Sequence, residues 1–214
     1  MSSLRRVLAH LKSLLRHPVD YAMTFRPFRS PTDLERWQDP SNLRPDWDER
    51  TRLIAGLIPD GSSVIEFGAA RLVLPRHLGQ GCTYQPVDLV KRSEDTLAFD
   101  LNGPLPALPR RYDYAVFSGV LEYVRDLERL TRWLPNVADR VIFSYAVTDY
   151  LSDPVTRRRN GWINHLSDAE IRRLIRQSGL DCRTTERWQR QNIYVCCFLS
   201  PPADVQSSQG SEAA

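Results

Sequence analysis

The run Ser63-Val-Ile-Glu-Phe-Gly-Ala-Ala-Arg-Leu72 constrains the fold more than any other part of the chain. It is a short apolar, β-prone segment that ends on a carboxylate and turns at a glycine. An α/β protein uses such a strand, delivering an acid into a tight turn, to build a cofactor pocket at the carboxyl edge of a parallel sheet. A second apolar run, Thr83-Tyr-Gln-Pro-Val-Asp88, closes on another carboxylate. It follows by roughly 20 residues, the distance at which one βα unit gives way to the next and an acid reaches a ribose diol. Two strand-end carboxylates at that spacing point to a nucleoside-bearing cofactor.

Strand and helix signals alternate from residue 46 onward. A helix over about Asp48 to Leu57 precedes Pro59-Asp60-Gly61, and a second, about Val73 to Leu78, follows the first strand and ends at Gly79. A short piece leads to Leu97-Ala-Phe-Asp-Leu-Asn102, and the prolines of Gly103–Pro109 make that segment a loop. Tyr112–Ser118 reads as a buried strand, Leu121, Val124, Leu127, Leu130 and Leu134 mark the helix behind it, and Val141–Val147 is the next strand. This alternation predicts a parallel sheet with helices on both faces. The end of the chain differs. Ser167-Asp-Ala-Glu170 is a capping box that opens a helix closing at Gly179, and Leu180–Trp188 and Asn192–Leu199 are close enough to pair as a hairpin.

With 214 residues, 42% of them apolar, the chain can bury one core of its own, assigned to residues 46–199. Residues 1–17 form a basic amphipathic helix: Leu4, Val7, Leu8, Leu11, Leu14 and Leu15 recur at helical spacing among Arg5, Arg6, Lys12 and Arg16. Two readings of residues 4–16 stand open. One is a helix lying on an anionic membrane surface; the other is a helix packed on the domain or on a second subunit in a homodimer. Residues 18–45 mix prolines with Tyr21, Phe25, Phe28 and Trp37 and read as an irregular arm that packs over the domain; residues 200–214 are polar, small and expected to be disordered.

Arg5, Arg6, Lys12, Arg16, Arg26 and Arg29 face Asp20 alone in the first 30 residues, while the whole chain is only +3. The body is therefore mildly acidic, which argues against a nucleic-acid partner. Cys82, Cys182, Cys196 and Cys197 have neither CxxC spacing nor a histidine at zinc-finger distance, so no metal and no disulfide framework is expected, and a reduced, cytoplasmic setting fits. Cys196 and Cys197 read as small hydrophobes in an apolar run.

The series Val64-Ile-Glu-Phe-Gly68, Val87-Asp88, Phe99-Asp100 and Tyr112-Asp-Tyr-Ala-Val-Phe-Ser-Gly-Val-Leu-Glu-Tyr-Val124, with the closing hairpin, resembles the class I S-adenosylmethionine-dependent methyltransferases over residues 46–199. The resemblance implies a Rossmann-like α/β fold with a seven-stranded, mostly parallel, doubly wound sheet and an antiparallel C-terminal hairpin. It implies that Glu66 and the Gly68 turn, including Ala70, face the methionine part of S-adenosylmethionine. Asp88 takes the ribose hydroxyls, Asp100 and the backbone at Leu101 sit by the adenine, and Ser118 and Gly119 line the cofactor near its reactive methyl. The chain departs from the family's acid-x-Gly-x-Gly-x-Gly turn: Ala70 and Leu72 replace the second and third glycines, and Tyr123 stands where histidine is frequent.

Methyl transfer needs a general base only if the acceptor must lose a proton. The residue proposed for that role is His165 in Gly161-Trp-Ile-Asn-His-Leu166, where Asn164, His165 and Trp162 read as a polar lip over an aromatic wall; the other reading is that His165 and Asn164 cap and pack the helix that starts at Ser167. Glu122 and Arg157-Arg-Arg159 read mainly as solvated, and Asp113 as structural. The expected activity is methyl transfer to a small molecule, a glycan or a lipid-linked sugar. The alternatives are a non-catalytic methyltransferase-like binding or scaffold module and, less favoured for want of G-x-G-x-x-G, a nicotinamide-dependent oxidoreductase.

Overall fold

The computed structural model describes residues 32–199. The basic helix expected over 4–16, the arm up to residue 31 and the tail 200–214 lie outside those residues. In chain order the elements are α1 (Leu34–Gln38), α2 (Trp47–Ala55), β1 (Ser63–Phe67), β2 (Thr83–Asp88), β3 (Leu97–Ala98), β4 (Tyr112–Phe117), α3 (Leu127–Trp133), β5 (Ala138–Tyr145), α4 (Pro154–Arg159), α5 (Asp168–Gln177), β6 (Leu180–Trp188) and β7 (Gln191–Phe198).

The strands form one sheet in the order β3-β2-β1-β4-β5-β7-β6. β1 to β5 pair in parallel, and β7 runs antiparallel between β5 and β6. This is the sheet and hairpin that the sequence predicts. The order reverses between β1 and β4, and a crevice opens at such a reversal beyond the carboxyl ends of the strands.

Successive strand residues point to opposite faces, and here both faces are covered. Ile65, Phe67, Ala115, Phe117, Val141 and Phe143 pack with Leu127 and Leu130 of α3 and Ile171 and Ile175 of α5. Val64, Val116 and Ile142 pack on the other face with Ile54 and Ala55 of α2 and with Trp188. At the amino end Asp113 accepts from the Ser63 amide at 2.6 Å and its hydroxyl at 2.7 Å, tying β4 to β1.

Two expected helices differ. In place of a helix over Val73–Leu78 there is one 3-10 turn, Leu74–Arg76. Pro75 lacks an N–H, and so short a segment cannot repay helix nucleation. The single helix expected from Leu121 to Leu134 is divided into a 3-10 turn, Leu121–Tyr123, and α3. Asp126 restarts it, its side chain accepting from the Arg129 amide at 2.8 Å. The capping box of α5 forms as expected, Ser167 and Glu170 each satisfying the other's amide, worth about 1 kcal/mol.

The cysteines also differ from expectation. Cys182 and Cys196 are cross-strand partners in the β6–β7 ladder, 4.1 Å apart at Cα, and are joined as a disulfide. Sequence spacing gave no hint of this, because the register of the hairpin brings them together. Cys196 is buried, whereas Cys197 points the other way and is exposed. Among the described residues no helix is long and apolar enough to cross a membrane, and no cluster of three or more His, Cys, Asp or Glu could hold a metal ion.

Candidate functional site

A cavity of about 730 Å³ opens at the carboxyl ends of β1, β2 and β4. Glu66, Gly68, Ala70, Asp88, Asp100, Leu101, Ser118 and Gly119 all line it; His165 does not. Part of the arm, including Thr32 and Trp37, closes one side, and the β6–β7 turn closes another.

The turn after β1 keeps a glycine-like path without the glycines. Gly68, Ala70 and Leu72 all have positive φ, at +73°, +45° and +53°. That region is rare for leucine, and residues held there cost about 1–3 kcal/mol each unless the surroundings over-determine them. Here the surroundings do so. The Gly68 and Ala69 amides both donate to the Val87 carbonyl, at 2.8 and 3.1 Å, the Ala70 amide donates to Asp88 Oδ2 at 2.8 Å, and the Leu72 amide to the Ala69 carbonyl at 2.8 Å. Gly68 itself admits no side chain, since a Cβ would stand 2.5 Å from Val120 Cγ2.

Glu66 is buried at the end of β1, and Tyr84 donates its hydroxyl to Oε2 at 2.6 Å. Burial outweighs that hydrogen bond and raises the Glu66 pKa to about 8. Arg50, from α2, is 5% exposed. It donates to Ser118 Oγ and the Ser118 carbonyl, both at 3.0 Å, and to Gln191 Oε1 at 2.9 Å. Its guanidinium lies 5.8 Å from the Trp47 ring and 5.3 Å from that of Trp188. Gly119, at φ +68°, leaves the space this requires, because a Cβ there would fall 2.4 Å from Arg50 Nη1.

The two carboxylates farther along the crevice are already engaged. Asp88 Oδ2 accepts from Ala70, Oδ1 accepts from the Val90 amide at 3.0 Å, and Arg92 Nε approaches Oδ1 at 3.2 Å. Arg92 also donates to the Trp37 carbonyl at 2.7 Å, which ties the arm to this carboxylate. Asp100 accepts from Thr32 Oγ1 at 2.7 Å and from the Asn102 amide at 2.8 Å, and the Leu101 carbonyl accepts from Arg129 at 2.6 Å.

On the side of β5, two residues expected to be solvated are fully buried. Glu122 Oε1 accepts from the Ala146 amide at 2.8 Å, and burial raises its pKa. Arg157 donates to the carbonyls of Ala146 at 2.6 Å, Leu151 at 3.2 Å and Asn164 at 3.3 Å, and to His165 Nδ1 at 2.9 Å. An arginine inside a cap of free carbonyls is satisfied without water, so its charge does not force it to the surface. Desolvation and the guanidiniums of Arg157 and Arg158 lower the His165 pKa. Asn164 is not a lip residue. It receives the Tyr145 hydroxyl and donates to the carbonyls of Leu121 and Val124, at 2.7 and 2.9 Å.

Trp162 does line the cavity, its indole N–H donating to Tyr123 Oη at 3.1 Å. Sequence reasoning missed Arg50, Arg92, Tyr84 and the hairpin-turn residues Trp188 and Gln191. An arginine among many in a helix carries no signal, and Trp188 is 139 residues from Glu49 in sequence, yet its indole N–H donates to the Glu49 carboxylate of α2 at 3.1 Å.

Residues 40–185 match the family described as "Methyltransferase domain". Solved structures with the same fold include an O-methyltransferase from Nostoc punctiforme so named provisionally, at 16% identity and a TM-score of 0.61, the match covering 76% of this chain and 60% of that one. A methyltransferase of Haloferax volcanii, solved with the Trm112 activator, matches at 13% identity and a TM-score of 0.59 over 75% of this chain and 97% of that one. The O-methyltransferase NcsB1 of neocarzinostatin biosynthesis, solved with S-adenosyl-L-homocysteine and 1,4-dihydroxy-2-naphthoic acid, matches at 17% identity and a TM-score of 0.56 over 91% of this chain and 70% of that one. The chain thus spans 60% of the first of these proteins. No curated protein matches it.

Proposed function

The chain belongs to the methyltransferase-domain family, and from that premise we propose that it transfers a methyl group from S-adenosylmethionine to a small-molecule acceptor. The observation that carries this reading is the left-handed backbone at Ala70 and Leu72. Residues held in this region cluster at ligand clamps, so a turn whose surroundings keep that path at an alanine and a leucine suits a cofactor cradle.

The residues fit the cofactor. Glu66, buried beside the turn, suits a cationic methionine end, and Arg50 offers that end a counter-charge for its carboxylate. Asp88 is assigned to the ribose hydroxyls, with Arg92 giving way to share it, and Asp100 with the Leu101 backbone to the adenine. Ser118 and Gly119 are assigned to the region of the methyl. Bound there, the sulfonium supplies a methyl carbon open to in-line attack, and this chain's own task is to position the acceptor and exclude water. A glycan or lipid-linked sugar hydroxyl, the other acceptor class expected from the sequence, would need a base for its proton; membrane contact through residues 4–16 is compatible with either acceptor.

The protonated state of Glu66 gives the proposal a signature. An incoming cation favours the ionised carboxylate, so cofactor binding releases a proton below about pH 8, and affinity rises with pH up to that value. Calorimetric titration with S-adenosylhomocysteine and S-adenosylmethionine, with Asp88→Ala beside the wild type, tests the reading. Binding that the variant loses supports it. Absence of binding by the wild type leaves the scaffold alternative, which the existing engagement of Asp88 by Arg92 and two amides favours.

A further inference from the structure

We propose that the acceptor is a flat aromatic acid whose reacting oxygen is already an anion when it enters the cavity, so that none of the described residues acts as a base. This rests on the methyltransferase reading above and deepens it.

The shape comes from a continuous aromatic wall. Trp162 donates to Tyr123; the Tyr123 ring meets Trp37 edge-on at 4.9 Å between centroids, and Trp37 lies 6.5 Å from Trp47. Arg50 then links Trp47 to Trp188. All five rings line the cavity, although they come from the arm, α2, the turn after β4, the segment before α5 and the hairpin. Rings set at these angles offer both faces and edges to a planar guest.

The absence of a base comes from the lining itself. No His, Cys or Lys is among the described residues that line the cavity, and each carboxylate there is engaged. Asp46 pairs with Arg44 and Asp48 with Arg71. Glu66 holds Tyr84, Asp88 holds two amides and Arg92, and Asp100 holds Thr32 and Asn102. The Tyr123 hydroxyl already accepts a hydrogen bond from Trp162, and burial raises its pKa. His165 lies outside the lining and spends Nδ1 on Arg157. Among the described residues a neutral alcohol would have nowhere to leave its proton.

The charge comes from arginines. Arg44, Arg71 and Arg92 are matched by carboxylates of the lining, and Arg36 by Asp33. Arg190, exposed at the hairpin turn on the rim, makes no hydrogen bond or ion pair among the described residues, while Arg50 is assigned to the carboxylate of the cofactor. The Arg190 guanidinium, on the rim beside Trp188 of the aromatic wall, suits an anion. The step then balances without proton transfer. The acceptor oxygen uses its own electron pair to form the O–C bond, the C–S bond breaks with its pair remaining on sulfur, and the anionic acceptor and cationic donor leave as neutral ether or ester and thioether.

The experiment begins with S-adenosylhomocysteine binding to the full chain. Product release is then followed with 4-nitrophenol, 4-cyanophenol and 4-methylphenol, with benzoate as the carboxylate source and benzyl alcohol as the neutral control. The expected result is a kcat/KM inflection that moves upward with the acceptor's own pKa along the phenols, or turnover of benzoate, with benzyl alcohol inert. Arg190→Ala raises KM for ionised acceptors about tenfold, one charge-assisted contact, while S-adenosylhomocysteine affinity stays the same and Arg190→Lys restores most of the loss. An inflection fixed at one pH for every acceptor, turnover of benzyl alcohol equal to that of 4-nitrophenol, or no turnover of any anion despite intact binding each overturns the inference alone. Failure to bind S-adenosylhomocysteine overturns the methyltransferase reading and the inference with it.

Discussion

The cofactor side of the cavity and the acceptor side are built in opposite ways. On the cofactor side most proposed contacts follow from strand ends: Glu66 is the last residue but one of β1, Asp88 closes β2, and Ser118 and Gly119 follow β4. On the acceptor side the wall is collected from segments distant in the chain, and its support is a buried arginine that holds carbonyls rather than a strand end. The first side carries backbone strain at Ala70 and Leu72; the second carries buried charge at Glu122 and Arg157. A parallel sheet dictates where the first set goes, whereas the second depends on the whole chain having folded.

The most severe way to break this comparison is Arg157→Met. It leaves the buried carbonyls of Ala146, Leu151 and Asn164 without their donor, and such losses cost about 3–5 kcal/mol. Urea unfolding should show that loss, with the β5 side of the site failing first. A variant of unchanged stability would remove the arginine from its supporting role.

Next in size is Asp88→Ala, which probes the other side. Losing a charge-assisted acceptor for two hydroxyls should weaken S-adenosylhomocysteine binding about 100-fold. Because Asp88 also holds the Ala70 amide, Asp88→Asn separates the two roles: it keeps an acceptor for the turn and should retain part of the affinity.

A smaller effect distinguishes strain from charge. Glu66 in the fold has a pKa raised from 4.5 to about 8, so between those values the folded chain keeps a proton that the unfolded chain releases. Stability therefore falls as pH rises across that window. Glu66→Gln, whose oxygen still accepts from Tyr84, should flatten the dependence and be more stable than wild type at pH 8.5. Parallel Tm profiles of the two proteins would contradict the buried, protonated glutamic acid.

The same contrast explains what could be read before the structure was known. The order of strands, the capping box at Ser167 and the hairpin follow from periodicity and punctuation, which act over a few residues. Eight residues proposed for the cofactor meet at one cavity because strand ends must converge at the carboxyl edge of the sheet. His165 does not join them, and Glu122 and Arg157 were misread as solvated, because charge ordinarily marks a surface position. The burial of Arg157 depends on carbonyls freed by two irregular segments, Ala146–Leu151 and Gly161–Leu166, and that of Glu122 on the Ala146 amide, which no local pattern announces. The helix expected over Val73–Leu78 is too short to repay nucleation, and one 3-10 turn forms in its place.

The central claim is that the turn after β1 still holds the cofactor without its glycines, and the smallest change tests it most directly. Calorimetric titration of S-adenosylhomocysteine into wild type and Ala70→Gly measures it. The account predicts that the wild type binds and that the variant, relieved of a left-handed alanine worth about 1 kcal/mol, binds within about tenfold of it. A wild type that does not bind, beside a glycine variant that does, would contradict it, because the alanine methyl would then be blocking the cofactor.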